Sequence, residues 1–123
     1  MPARETVEAF VGLVEQGKYV EALEGYYTAQ STMAENQAAP RVGLDAHVAS
    51  ERAVMAAFKT LKTHPVSRVL IDGDLVMINW VFEFTAESGQ KMIMDEVALQ
   101  RWDGERIVAE QFYYDPAQRR LRD

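Results

Sequence analysis

The sequence predicts an α+β fold in which three N-terminal helices pack against a strongly curved, mostly antiparallel sheet. Apolar residues recur at helical spacing through most of the first half of the chain, and at the spacing of two that is typical of strands after Pro65. Short turns between the predicted strands indicate antiparallel neighbours. Helices that are segregated from such a sheet are typical of the α+β class. A sheet curved around a long helix would leave a cavity between the two.

Three amphipathic helices are predicted from stripes of apolar residues. The first covers residues 6–16, and Gly17 is placed to end it. The second covers 19–27, and the third covers 44–62. The residues that form the stripes are Val7, Phe10, Val11 and Val14, then Tyr19, Val20, Leu23, Tyr26 and Tyr27, then Leu44, Val48, Met55, Phe58 and Leu61.

Five strands are predicted, one before the third helix and four after it. The first, over 28–36, is only weakly signalled by small and β-branched residues. The later four cover 66–72, 75–85, 91–102 and 105–114. Asp72-Gly73, Ser88-Gly89 and Asp103-Gly104 separate them, and Asp-Gly suits a tight hairpin turn because glycine tolerates positive φ.

Composition limits the class of protein and its partners. The chain has 123 residues, which fits one domain over 1–123, and its formal net charge is -6. This balance disfavours nucleic acid, whose binding depends on neutralised phosphates. The absence of cysteine excludes disulfides and thiol catalysis. No apolar run is long enough for a membrane span and the first ten residues lack a signal-peptide block, so a cytoplasmic protein is expected.

No motif predicts a cofactor or a metal. The chain has no Gly-rich phosphate loop and no Gly-x-Ser-x-Gly elbow. His47 and His64 are far apart and have no third ligand at metal-site spacing. The one basic cluster, which consists of Arg119, Arg120 and Arg122, is interpreted as a solvated tail.

Acids set among apolar residues make the last third of the chain a candidate pocket wall. The segment from Lys91 to Pro116 reads KMIMDEVALQRWDGERIVAEQFYYDP. In it, Glu110 alternates with Val108, Phe112 and Tyr114 along one strand face. If that face lines a cavity, burial would raise the pKa of Glu110 towards that of a general base that removes a proton α to a carbonyl. If it faces solvent, Glu110 is an ordinary surface acid.

Asp95 and Glu96 are adjacent, so only one of them can share a face with Glu110. A two-residue turn at Asp103-Gly104 would place Asp95 near Phe112, on the same face as Glu110. A bulge or a three-residue loop would place Glu96 there instead. The residues alone leave both arrangements open.

Other polar groups are candidates for the pocket. Glu35 and Asn36 end the first predicted strand, either at the pocket mouth or as a polar strand end that enters a loop. Tyr26, Tyr113 or Tyr114 would offer a hydroxyl to a bound carbonyl as an oxyanion donor.

The strand over 75–85 predicts a sheet that is covered on both faces. Its two faces carry Trp80, Phe82 and Phe84 on one side and Asn79, Val81 and Glu83 on the other. One face would meet the helices and the other a second subunit, so a homodimer built on the sheet is expected.

Nearly the whole chain resembles the SnoaL-like group within the nuclear transport factor 2-like superfamily. The resemblance is carried by GYYTAQSTMAEN at 25–36, by the Gly43 segment, and most specifically by TAESGQKMIMDEVALQRWDGERIVAEQFYYD at 85–115. It implies a conical fold with a deep, mainly apolar pocket, and it favours Glu96 over Asp95 as the pocket acid. Members include polyketide cyclases, ketosteroid isomerases, limonene epoxide hydrolases, and binding domains with no known chemistry.

The sequence departs from the functional patterns of these members. Phe112 stands where cyclases and epoxide hydrolases of this fold carry an Asp, and the acid lies two residues earlier, at Glu110. Asn79 and Val81 stand where the Arg–Asp pair of the epoxide hydrolases would fall. No characterised active site transfers intact.

The sequence predicts a protein that binds a small molecule in a pocket, and two functions fit this prediction. One is an acid/base enzyme, an isomerase, aldol-type cyclase or hydrolase, that acts on a compact apolar substrate with a carbonyl or hydroxyl. The other is a non-catalytic dimeric module that binds a ligand or a protein. The candidate catalytic residues are Glu110, Glu96 and Asp95, and the candidate ligand-binding residues are Glu35, Tyr26, Asn79, Phe112 and Tyr114.

Overall fold

The computed structural model describes residues 1–123 and contains the three predicted helices. They are α1 (Arg4–Glu15), α2 (Tyr19–Tyr26) and α3 (Leu44–Ala57), and a short 3₁₀ helix at Pro116–Gln118 follows the last strand. The turn after α1 contains Gly17, whose φ of 78° is a conformation that favours glycine. No helix is long and apolar enough to cross a membrane.

Seven strands form one mixed sheet. They are β1 (Tyr27–Glu35), β2 (Arg41–Val42), β3 (Thr60–Thr63), β4 (Val69–Asp72), β5 (Leu75–Thr85), β6 (Lys91–Asp103) and β7 (Arg106–Tyr113). The strand order is β2-β1-β7-β6-β5-β3, and β4 also pairs with β5. Only β1 and β7 run parallel, and every other pair is antiparallel. The predicted α+β class with a mostly antiparallel sheet is confirmed.

The third helix is shorter than predicted, because the chain returns to the sheet soon after Ala57. Residues 60–63 form β3 and not the last turn of the helix, with Thr60 opposite Thr85 of β5. β-branched threonine fits a pleated strand well, and the ladder with β5 satisfies the backbone groups of this segment. The very short β2 was also not predicted, and the strand predicted over 66–72 begins only at Val69.

The hydrophobic core lies between the helices and one face of the sheet, which we call the inner face. The ring of Phe10 in α1 makes edge contacts with Tyr27, Trp80 and Trp102, at centroid distances of 6.0, 6.2 and 6.1 Å. Val76, Ile78 and Trp80 of β5 are all buried. Of the two faces of β5, the one that carries Trp80 therefore meets the helices.

A bulge in β7 sets the register of the last hairpin. β6 and β7 pair Trp102 with Ile107 and Gln100 with Glu110. Between these pairs β6 contributes one residue and β7 two, so Val108 is the extra residue of the bulge. Ile107 and Glu110 are both buried on the inner face, although strict alternation would send residues three apart to opposite faces.

Candidate functional site

A cavity of about 640 Å³ opens between α3 and the inner face of the sheet. Much of its wall is aromatic or methionine side chain: Phe58, Phe82, Phe84, Phe112, Met33, Met92 and Met94. A recess of about 70 Å³ adjoins the cavity, shares Met33, Phe82 and Phe112 with it, and is also lined by Tyr27 and Glu110. The larger volume is in the range of pockets that hold drug-sized ligands.

Glu110 lies at the recess with both carboxyl oxygens hydrogen-bonded. The Tyr27 hydroxyl donates to Oε1, and the Gln100 side chain donates to Oε2 at 2.7 Å. Gln100 is in turn oriented by the indole N–H of Trp102, which donates to its Oε1 at 3.0 Å. Burial raises the pKa of the Glu110 carboxyl to about 7, although the hydrogen bonds from Tyr27 and Gln100 act to lower it.

Glu96 lines the larger cavity, on the same face as Glu110. It lies four residues before Gln100 in the regular part of β6, so the bulge aligns its side chain with that of Glu110. No side chain donates a hydrogen bond to its carboxyl group. Burial, and then the negative charges of Glu110 and Glu35, raise the pKa of Glu96 to about 8. The cavity and its recess therefore present two carboxyl groups that titrate near neutral pH.

Asp95 and Asn79 lie on the opposite face of the sheet, which we call the outer face. The Asn79 amide donates to Asp95 Oδ1 at 2.8 Å, and Arg68 donates to Asn79 at 3.2 Å. Neither Asp95 nor Asn79 lines the cavity. The structure therefore places both residues outside the pocket in which they were expected, because each is adjacent in its strand to a residue that faces inward, Trp80 in β5 and Glu96 in β6.

Glu35 lines the mouth of the cavity and is held by two donors. The Tyr114 hydroxyl donates to its Oε1 at 2.6 Å, and the Arg119 guanidinium donates to the same oxygen. Arg119 also lies over the Tyr114 ring, 5.3 Å from its centre. The 3₁₀ helix that precedes Arg119 is capped by Asp115, which accepts from the Ala117 N–H at 2.9 Å. Arg119 is therefore part of the cavity mouth and not, as expected, of a solvated tail.

None of the three candidate tyrosines offers a free hydroxyl to the cavity. Tyr26 packs against Phe10 and Trp102 outside the lining, and Tyr113 is exposed at the end of β7. Tyr114 donates to Glu35, and burial, followed by the Glu35 hydrogen bond and charge, raises its pKa to about 12. The tyrosine that donates to Glu110 is Tyr27, which the sequence pattern had assigned to the second helix.

Two further charged residues line the cavity without having been predicted. Glu51 of α3 lies between Val48 and Phe58 at the spacing of the apolar stripe. A charged residue within an apolar stripe is the sequence feature that could have predicted its place in the cavity. Burial raises its pKa, and the charge of Arg41 acts against that rise. Arg41 comes from β2, the strand that the sequence did not reveal.

The two histidines lie apart, and no three His, Asp or Glu side chains are grouped as ligands for a metal ion. His47 of α3 is buried, with Nε2 at 2.9 Å from the Ser31 carbonyl oxygen. His64 lies 3.2 Å from a carboxylate oxygen of Glu83, at the partly exposed edge beside β5.

The fold and this cavity place the protein in a class of α+β proteins in which a curved sheet and the helices enclose a pocket. The sequence profile of the SnoaL-like polyketide cyclase family matches residues 5–120. The chain therefore belongs to the SnoaL-like family, as the resemblance predicted. Among curated proteins, none is significantly similar to it.

Solved structures share the fold over nearly the whole chain. A protein from Mesorhizobium loti, described as a SnoaL-like polyketide cyclase, is 24% identical with a TM-score of 0.75, and the match covers 89% of this chain and 97% of that chain. A protein of ketosteroid isomerase-like fold from Catenulispora acidiphila, in complex with trimethylamine, is 20% identical with a TM-score of 0.77, covering 94% and 89%. An LEH-like epoxide hydrolase from M. tuberculosis is 14% identical with a TM-score of 0.72, and the match covers 93% of this chain and 83% of that chain. At these identities the likeness shows the fold alone.

Proposed function

We propose that the protein is an acid/base enzyme that moves a proton on a compact, largely apolar substrate with a carbonyl or hydroxyl group. The reaction class is isomerisation, aldol-type cyclisation or hydrolysis. Membership of a family that includes cyclases is consistent with this proposal but does not select the reaction.

One observation carries the proposal: Glu96 and Glu110 face one apolar cavity and its recess, with pKa values of about 8 and about 7. Between these values Glu110 is mainly ionised and Glu96 mainly protonated, so one is a base and the other an acid. Glu110 would remove a proton α to the carbonyl, and Glu96 would donate a hydrogen bond to the carbonyl oxygen. Glu96 thereby takes the role that was predicted for a tyrosine.

The test is enzyme-catalysed exchange of α-protons in deuterated water, followed by NMR with 2-tetralone as a compact apolar ketone. The protein is expected to accelerate exchange, with a maximum between the two pKa values, because activity needs an ionised base and a protonated acid. Glu110→Gln and Glu96→Gln are each expected to reduce the acceleration by about 100-fold.

Asp95→Asn is the matched control, since it removes a carboxylate from the same strand as Glu96 but on the outer face. Its exchange rate is expected to equal that of the parent protein. The enzymatic proposal fails if the parent gives no acceleration, or if all three variants lose it equally.

The hydrogen bonds of Glu110 favour a second candidate, a non-catalytic module that binds a ligand or protein in the same cavity. Both of its oxygens already accept from Tyr27 and Gln100, as a purely structural acid would. In that case the ketone binds without exchange of its α-protons.

We also propose that the protein is a homodimer through the outer face of the sheet. Leu70, Leu75 and Met77 are large apolar side chains with between 40% and 65% of their surface exposed on this face. A second copy that covers them would complete the two-sided burial expected of β5.

A further inference from the structure

Arg41 is a cavity-lining cation without a carboxylate partner. The chain has four salt bridges within 4.0 Å, and Arg41 takes part in none of them. Its Nε donates to Nδ1 of His47 at 3.1 Å and its Nη2 to the Met33 sulfur at 3.2 Å. Guanidinium carries five N–H donors and stays protonated at any relevant pH, so most of its donors and its whole charge are left for another partner.

His47 holds this guanidinium as a neutral imidazole. Nδ1 accepts from Arg41 and must therefore be unprotonated, while Nε2–H donates to the Ser31 carbonyl at 2.9 Å. Burial, partly offset by the hydrogen bond to Ser31, lowers the pKa of His47. His47, which lies on α3, thus fixes the orientation of Arg41. Because its imidazole is neutral, it does not compensate the positive charge of Arg41.

The acids of the cavity leave Arg41 available as well. Glu35 is already bound to Arg119 and Tyr114. The charge of Arg41 acts on Glu51, but burial has the larger effect and raises the pKa of the Glu51 carboxyl. Glu51 and Arg41 do not form a salt bridge. Glu96, with a pKa of about 8, is largely protonated near neutral pH. A ligand in the cavity therefore meets one fixed, unpaired positive charge at Arg41.

We propose that Arg41 binds an anionic oxygen of the ligand, and that the ligand is a compact apolar carbonyl compound that also carries a carboxylate or a comparably acidic hydroxyl. The carbonyl part rests on the proposed function, whereas the anionic part rests on the contacts of Arg41 and on the absence of a salt bridge to it. Guanidinium and carboxylate match in a planar, bidentate geometry, so Arg41 would fix the orientation of the ligand relative to Glu96. His47 is a positioning residue for Arg41.

Binding of three two-ring probes tests this assignment without any catalytic step. Isothermal titration near neutral pH compares 2-naphthoate, the neutral 2-acetonaphthone and the cationic 2-naphthylmethylammonium. The parent protein is expected to bind 2-naphthoate at least about tenfold more tightly than 2-acetonaphthone, as for a hydrogen bond to a charged group. Arg41→Gln is expected to abolish this preference while 2-acetonaphthone binds as before, and His47→Phe is expected to reduce it.

Arg52→Gln is the matched control, because Arg52 is an exposed residue of α3 that does not line the cavity, and it removes the same net charge. The preference for 2-naphthoate is expected to survive in this variant. Thermal melting of each variant reports whether it is folded.

Three results would overturn the assignment. They are equal affinity of the parent for 2-naphthoate and 2-acetonaphthone, tightest binding of the ammonium probe, and no binding of 2-naphthoate at millimolar concentration. A preference that depends on Arg41 in a protein that exchanges no α-protons would leave the anion site standing and remove only the enzymatic proposal.

Discussion

Glu96 places a carboxyl group in an apolar cavity without a side-chain donor to stabilise its charge. On the inner face Glu96 lies opposite Trp80, and the side chains of Met94 and Phe112 line the same cavity. The charges that act on it are mostly negative. The neutral, protonated form is therefore favoured in the folded state. This gives the cavity a hydrogen-bond donor at neutral pH from a residue type that is normally an acceptor.

The raised pKa of Glu96 predicts a loss of stability with rising pH. Below its ordinary pKa of 4.5 the carboxyl is protonated in both the folded and the unfolded state, and above about 8 it is ionised in both. Between these values the folded state binds more protons, so the free energy of unfolding falls as the pH rises. Glu96→Gln is expected to be more stable than the parent at pH values above this range, by roughly 1–3 kcal/mol.

Urea denaturation of both proteins at the two ends of this range measures the effect. Asp95→Asn controls for the loss of one acid from the same strand. An identical pH dependence in the parent and in Glu96→Gln would contradict the raised pKa, because it would show that folding leaves the pKa of Glu96 unchanged.

Residues of the site could be predicted from the sequence where a charged side chain stands among apolar strand residues. Glu110 and Glu96 were found because a carboxyl among apolar strand residues needs an explanation. Tyr27 was missed because it continues the stripe of α2 and, at the same time, opens β1. Arg41 was missed because nothing in a two-residue strand gives a periodic signal.

At the scale of the element, the bulge in β7 decides that Glu110 shares a face of the sheet with Glu96 and not with Asp95. Alternation along β6 places Asp95 and Glu96 on opposite faces of the sheet. It does not reveal a bulge in the partner strand β7, which changes the face on which Glu110 lies. Val108, the extra residue, has no feature of sequence that marks a bulge. The choice between the two acids was therefore open from the residues, and tertiary pairing settles it in favour of Glu96 facing inward.

The end of α3 shows the same limit. The apolar spacing continues past Ala57 to Leu61, so periodicity alone extends the helix. The structure instead turns Phe58 against Phe84, at a ring distance of 5.0 Å, and pairs Thr60–Thr63 with β5. Pairing with residues that lie 19 to 25 positions later in the chain overrides the local pattern, and it also places Phe58 and Leu61 in the cavity wall.

At the scale of the whole molecule, the outer face of the sheet carries an apolar patch around Met77. Met77 of β5 lies between Leu70 of β4 and Leu99 of β6 in adjacent ladders. Met77 and Leu70 are 40% and 65% exposed, whereas Val76, Ile78 and Trp80 on the inner face of β5 are buried. A second subunit on this face would remove the patch from water.

Light scattering at micromolar concentration tests the dimer. The parent is expected to have twice the mass of one chain, and Met77→Glu is expected to have the mass of a single chain because an unpaired buried charge is costly. Met55→Glu is the control, since Met55 is 41% exposed but lies on α3, away from the sheet. A parent protein with the mass of one chain would contradict the dimer.

The central claim is that the cavity and its recess hold two glutamic acids poised around neutral pH. The most direct measurement is a titration of the Glu96 and Glu110 carboxyl carbons by NMR, with Glu96→Gln and Glu110→Gln used to assign the two signals. The account predicts apparent pKa values of about 8 and about 7. Titration of both groups near the ordinary value of 4.5 would contradict it, and the two residues would then be structural carboxylates.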